Sequence, residues 1–210
     1  MIIGITGRIG SGKDTIANYL TTHHGFKRMS YAEPLKDAIS IIFGWDRELL
    51  EGATKHSREW REQIDPWWAD RLGIKHLRPR WVLQHWGTEV CRRAFHDDIW
   101  IASVENKLRT VKDNVVISDC RFPNEVEAIK KSGGMTIRVE RGEHPIWYAD
   151  AIVVNRGMNH PRYHEAKDKL EQLGIHASEY SSVGLAYDHV ICNDKTVDDL
   201  HKRIDLIING

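Results

Sequence analysis

Near the amino end, three glycines and a lysine stand at a spacing that can do phosphate chemistry: Gly7, Gly10, Gly12 and Lys13, in GRIGSGKDT. The pattern is G-x-x-x-x-G-K, set between an apolar run, Met1–Ile5, and a stretch with helical spacing. The glycines let the backbone curl so that successive N–H groups point into one hollow. A helix that starts at Lys13 aims its positive end at the same place. Lys13 adds a cation for the outer phosphates, with Gly10, Ser11 and Gly12 as the cradle. The motif then calls for Ser or Thr to hold Mg²⁺, and here the residue is Asp14. A carboxylate ~4 Å from a phosphate costs about 4 kcal/mol at an effective dielectric of ~20, and a magnesium ion between them reverses the sign. Asp14 is therefore one candidate for reaching the ion, directly or through water. Thr15, one step along the helix, is the other.

A second constellation lies in VVISDCRFPNEVEAI. A continuous apolar run reads as a buried parallel strand, and Asp119 follows its carboxyl end, where open α/β sheets bind their ligands. Asp119 is a candidate to hold Mg²⁺ or its water, or to accept a proton. Arg121 is a candidate to steady charge on a transferring phosphoryl group. Asn124 and Glu125 read equally well as caps of the next helix.

The elements that must carry these groups follow from periodicity. Strands are expected over Met1–Thr6, Phe26–Ser30, the VVISDC run, Met135–Val139 and Asp188–Cys192. Helices are expected over Lys13–His24, from Pro34 onward, and over Arg80–Arg93, Ile99–Val111, Pro123–Ser132, Arg162–Leu173 and Val197–Ile208. Residues 45–78 read as short helices and loops, and 142–182 as mixed. Strands alternating with helices predict a mainly parallel sheet with helices on both faces, in one domain with insertions.

Composition excludes several classes. With 210 residues, 41% of them apolar, the chain can bury a core. Thirty basic and thirty acidic residues cancel, which argues against stable coating of nucleic acid. Cys91, Cys120 and Cys192 form no C-x-x-C pair, so neither a zinc site nor a disulfide framework is expected. His160 and His164 have helical metal spacing but no third ligand, and read as a surface pair. No signal peptide or membrane span is seen, so a cytoplasmic protein is expected. Most of the eight tryptophans lie between Trp45 and Trp100 and read as helix packing.

Across nearly its whole length the chain resembles the phage-type deoxynucleoside monophosphate kinases, a branch of the P-loop nucleotide kinases. The resemblance is carried by GRIGSGKDT at 7–15, YAEPLKDAI at 31–39, LQHWGTEVCRR at 83–93, ISDCRFPNEVEAIKKSGG at 117–134, HASE at 176–179 and DHVICNDKTVDDL at 188–200. It implies a P-loop NTPase-type three-layer α/β/α fold and transfer of the ATP γ-phosphoryl, with Mg²⁺, to a deoxynucleoside monophosphate. The implied subregions are a core over 1–30, 113–141 and 183–210, a monophosphate-binding helical region over 31–112, and a lid over 142–182.

Lys13, Asp119 and Arg121 would act at the transfer point, and Asn193 would lie beside the adenine. Lys36, Gln84, Arg92 and Arg93 would bind the acceptor. Gln84 offers a donor and an acceptor to a base edge. Arg92 and Arg93 are adjacent and do not share a helix face, so one of them grips the phosphate. Among Arg138, Arg141, Arg156 and Arg162, the better placed lid candidates are Arg141 and Arg156, while Ser178 and Glu179 fix the lid base. Base preference and oligomeric state stay open, a homodimer included. Two rival readings are a dephospho-coenzyme A kinase, whose family has Ser or Thr after the lysine, and a nucleotide-dependent switch or nucleic-acid-processing factor on the same loop.

Overall fold

The structure is a computed structural model that describes residues 1–209. Two compact units emerge, one made of Met1–Ser30 with the chain from Leu108 onward, the other of Tyr31–Lys107.

The first unit is built on five strands: β1 (Ile2–Thr6), β2 (Lys27–Met29), β3 (Val115–Ile117), β4 (Met135–Glu140) and β5 (His189–Cys192). They run in the order β2-β3-β1-β4-β5, every pair parallel. In the register, Gly4 of β1 faces Ile117 of β3 on one side and Thr136 of β4 on the other. Because all strands point one way, all five carboxyl ends open on a single edge of the sheet, and the candidate residues of this unit follow those ends. Helices α1 (Lys13–His24) and α12 (Val197–Asn209) pack Ile16, Ala17, Leu20, Leu200 and Ile204 against Ile3, Ile5, Val116, Ile137, Val139 and Ile191. The i, i+4 spacing of Ile16 with Leu20 and of Leu200 with Ile204 makes one buried stripe on each helix. Helix α8 (Pro123–Lys131) packs against β1 and β4, giving the three-layer α/β/α arrangement.

The second unit is helical: α2 (Glu33–Phe43), α3 (Arg47–Glu51), α4 (Lys55–Arg61), α5 (Pro66–Leu72), α6 (Pro79–Gln84), a π-helical segment His85–Arg93, and α7 (Ile99–Leu108), whose last residue belongs to the first unit. Its core joins Leu35, Ile39, Phe43, Trp45, Leu50, Leu77 and Val82, with Trp60, Trp68, Trp81, Trp86 and Trp100 packed on it. The tryptophans supply apolar area that such short helices could not otherwise assemble.

The expected continuous α-helix over Arg80–Arg93 is corrected by the structure, which widens at His85 into i→i+5 bonding, as in Ala94 N–H to Glu89 O. The Gly87 carbonyl accepts from Trp100 Nε1 at 3.0 Å. The buried residues of this segment are Gly87, Thr88 and Arg92, so hydrophobic periodicity does not mark the change.

The remaining helices are α9 (Tyr148–Asn155), α10 (Tyr163–Gln172) and α11 (Ala177–Tyr180). Helix α9 had no helical signal of its own. Its ADAIVV run is short, continuous and β-branched, a pattern shared by buried strands.

Gly7 links β1 to the curled loop at φ +148°, and a Cβ there would collide with the Val139 carbonyl oxygen. Since that oxygen belongs to a central strand, it has little room to yield. Gly7→Ala is expected to cost about 2 kcal/mol or more, lowering the thermal midpoint by roughly 4–8 °C. Calorimetric melting of the variant checks this.

Candidate active site

The Gly7–Lys13 turn leaves β1, the middle strand, and feeds α1. Gly12 caps that helix in a left-handed conformation, φ 105° and ψ 10°. A side chain at Gly12 would strike Asn193 Nδ2, which instead donates to the Ser11 carbonyl at 2.8 Å. Asn193 follows β5, and its own N–H donates to Glu140 O at 2.7 Å. The loop is thus held from outside by the end of the last strand.

Other tethers fix the rim. Arg8 Nη2 donates to the carbonyls of Arg141 and Glu143 at 2.8 and 2.7 Å. The Gly142 N–H donates to Asp194 Oδ1 at 2.9 Å. Within this frame a cleft of about 220 Å³ is lined by Gly12, Lys13, Thr15, Arg141, Asn193 and Lys195, among others. Arg141 therefore lies beside the loop, whereas Arg156 is exposed at the end of α9. Arg138 is buried and already bonded to Glu140, the Ser182 carbonyl and Tyr148. Arg162 pairs with Asp150 and Glu165.

Lys13 Nζ donates to the Arg8 carbonyl at 2.8 Å. Burial lowers its pKa from 10.5 to about 8. The charges of Asp14 and Asp119 pull it up and that of Arg121 pushes it further down. These three residues come from α1 and from the segment after β3, so the two constellations read from the sequence share one electrostatic neighbourhood.

The low pKa has a consequence for binding. The ammonium is present at pH 7 and mostly lost by pH 9. Affinity for metal-free ATP is expected to fall as pH rises through 8, by up to about tenfold per unit. Lys13→Arg should remove the fall, because a guanidinium stays charged. Calorimetric titrations between pH 7 and 9.5 read both.

The segment after β3 is rigid at its base. Glu125 is buried, and its Oε2 accepts from the N–H groups of Arg121 and Phe122 at 2.7 and 3.1 Å. Glu125 thus acts as a cap, and Asn124 Oδ1 accepts from the Glu125 N–H at 3.1 Å. Asp119 Oδ2 accepts from Ser30 Oγ at 2.7 Å. Asp14 is paired with Arg28, which also donates to Ser118 Oγ at 2.9 Å and to Asn18 Oδ1 at 3.1 Å. Sequence reasoning missed Arg28, Ser30, Ser118 and Lys195. Arg28 sits in a three-residue strand on the sheet edge, where nothing in the local pattern marks it.

The donor set suits Mg²⁺. Asp14, Asp119, Thr15, Ser30 and Ser118 are all hard oxygen donors. Among the described residues no group of three or more His, Cys, Asp or Glu side chains is arranged to hold a metal ion. Mg²⁺ is ordinarily held by one or two carboxylates together with substrate phosphates.

In the helical unit, Lys36 Nζ donates to Glu51 Oε2 at 2.5 Å. Burial would raise the Glu51 carboxyl, but Lys36 and Arg47 outweigh it and hold it below the usual range. Gln84 ends α6, half-buried. Arg92 is buried with its Nε 3.0 Å from Asp97, while Arg93 is exposed and pairs with Glu89 one turn back. The two adjacent arginines thus occupy different surroundings.

No protein-family model matches the chain. A protein of Acanthamoeba polyphaga mimivirus, provisionally named a deoxynucleotide monophosphate kinase, is 28% identical over 218 residues, covering 97% of this chain and 94% of its own. The deoxynucleoside-5′-monophosphate kinase of Escherichia phage T5 is 26% identical over 181 residues, covering 63% of this chain and 72% of its own. The chain is similar in sequence to proteins named deoxynucleoside monophosphate kinases. Among solved structures, shikimate kinase from Aquifex aeolicus aligns over 100% of this chain and 97% of its own, with a TM-score of 0.46 and 14% identity. Among the described residues no helix is long and apolar enough to cross a membrane.

Proposed function

We propose that the protein is a deoxynucleoside monophosphate kinase, which moves the γ-phosphoryl group of ATP to the 5′-phosphate of a deoxynucleoside monophosphate, giving ADP and a diphosphate. The observation that carries this reading is Lys13, which starts α1 at the end of the curled glycine loop, donates to the Arg8 carbonyl, and feels the charges of Asp14, Asp119 and Arg121 at the open end of a parallel sheet. That arrangement has the parts in-line phosphoryl transfer asks for: a cradle, cations at the transferring group, and carboxylates for an ion.

In this reading the loop N–H groups from Gly10 to Thr15 hold the triphosphate, and Lys13 leaves the Arg8 carbonyl to reach its outer oxygens. Arg121, on a backbone fixed by Glu125, steadies charge on the transferring group. Asp119 and either Asp14 or Thr15 would hold Mg²⁺, which would neutralise phosphate charge. Asn193 positions the loop beside the base of ATP. Gln84 reads the acceptor base, Arg93 with Lys36 meets its phosphate, and Arg92 braces that segment through Asp97. Arg141, and from farther out Arg156, close over the phosphates from the 142–182 segment, keeping water from taking the phosphoryl group. The protein works on small nucleotides in the cytoplasm, the host's if phage-encoded.

A coupled assay of ADP release across a panel of deoxynucleoside and ribonucleoside monophosphates tests the reading. ATP consumption should depend on a monophosphate acceptor and be indifferent to DNA. Hydrolysis that no acceptor stimulates, or that DNA stimulates, would overturn it.

A further inference from the structure

Arg28 meets the carboxylate that stands where a phosphate loop ordinarily carries a hydroxyl. Its guanidinium reaches three groups at once: Asp14 Oδ1 and Asn18 Oδ1, one turn apart on α1, and Ser118 Oγ at the end of β3. Asp14 is the first residue after Lys13, and Ser118 immediately precedes Asp119. The side chains of Arg28 and Asp14 are 41% and 75% exposed, so the pair adds little to stability. Its consequence is local: Arg28 supplies a single positive charge to Asp14 at the mouth of the phosphate cradle.

We propose that Arg28 is a positioning residue that neutralises Asp14 in the metal-free protein and competes with the divalent cation for that carboxylate. The proposal rests on the kinase reading, since it concerns how the loop takes metal-free and metal-bound ATP. Without Arg28, Asp14 faces an incoming polyanion uncompensated, and metal-free ATP binds worse. The same loss leaves Asp14 available to a cation, so less Mg²⁺ suffices. Arg28 thereby sets the Mg²⁺ concentration at which the loop changes from one counter-charge to the other. A purely structural ion pair would shift both forms of ATP together.

Calorimetric titration of the full chain with ATP, at a series of Mg²⁺ concentrations, tests this without turnover. Arg28→Ala should weaken metal-free ATP by about threefold to fivefold and lower the half-saturating Mg²⁺ concentration by a similar factor. Arg28→Lys should restore most of the metal-free affinity, because it keeps the charge. In an Asp14→Ala background, Arg28→Ala should leave the half-saturating Mg²⁺ concentration unchanged. Melting curves confirm that each variant is folded. An unchanged Mg²⁺ requirement in Arg28→Ala, or an equal shift with Asp14 absent, overturns the proposal while leaving the kinase reading standing. Wild-type protein that binds ATP neither with nor without Mg²⁺ overturns both.

Discussion

Replacing Lys13 by methionine should abolish most turnover and yet make the empty protein harder to melt. The two effects have one origin. The Lys13 ammonium is desolvated beside its own loop, and its pKa falls from 10.5 to about 8. A lysine whose folded pKa lies below its unfolded value is a burden while it stays charged. The folded state binds fewer protons than the unfolded one between pH 8 and 10.5, so stability from this group rises with pH across that window and is lowest below it. At neutral pH the cost is at most about 3 kcal/mol. Methionine keeps the apolar stem and removes the charge, at the loss of the hydrogen bond to the Arg8 carbonyl, about 1 kcal/mol. The net gain should be about 1–2 kcal/mol, or roughly 2–8 °C in the thermal midpoint. Turnover should drop by about 10³-fold, as when a preorganised charge facing a reacting oxygen is removed. Melting curves without nucleotide and a coupled ADP assay read the two sides separately. A variant that melts earlier, or one that turns over normally, contradicts the account.

The sheet and the loop were legible because their signals are local. Glycines at 7, 10 and 12 before a lysine specify one backbone path, and Ile16 with Leu20 or Leu200 with Ile204 needs only a helical period to be read. The placement of Asp119 and Arg121 was legible for a different reason: a polar break after a continuous apolar run marks the carboxyl end of a strand. What could not be read was pairing across the fold. Arg28 meets Asp14 and Ser118 only because β2 lies beside β3 and α1 crosses nearby, and no spacing in the sequence encodes that meeting. The same holds for Asn193, read as a neighbour of the base, whose side chain reaches the Ser11 carbonyl 182 positions away. The π-helical turn at His85–Arg93 escaped because its buried residues, Gly87, Thr88 and Arg92, carry no apolar period to read. Arg92 and Arg93 show the limit from another side. Adjacency excludes a shared face, but only packing decides which of them is buried and pairs with Asp97.

Arg121→Ala should lower kcat by about 10³-fold while leaving ATP affinity within about threefold of the wild type. The backbone at Arg121 and Phe122 is fastened by the buried Glu125 carboxylate, so the guanidinium swings from a fixed base. Its charge is felt at Lys13, and two cations brought together in an empty site repel one another. Such an arrangement is favourable only when negative charge comes between them, and the demand is greatest when the transferring group carries it on three oxygens. The interaction therefore strengthens from ground state to transition state, and its loss appears in kcat more than in binding. In the empty protein the same substitution removes a repulsion, so the Lys13 pKa should rise, and the fall of metal-free ATP affinity with pH should begin higher. Arg121→Lys keeps a charge but loses the planar fork that meets two phosphoryl oxygens, and should recover only a small part of the rate. Steady-state kinetics on both variants, with calorimetry across pH for the alanine form, separate this role from a structural one. A residue that merely held the turn would lower the melting point and leave the pH dependence of binding where it was.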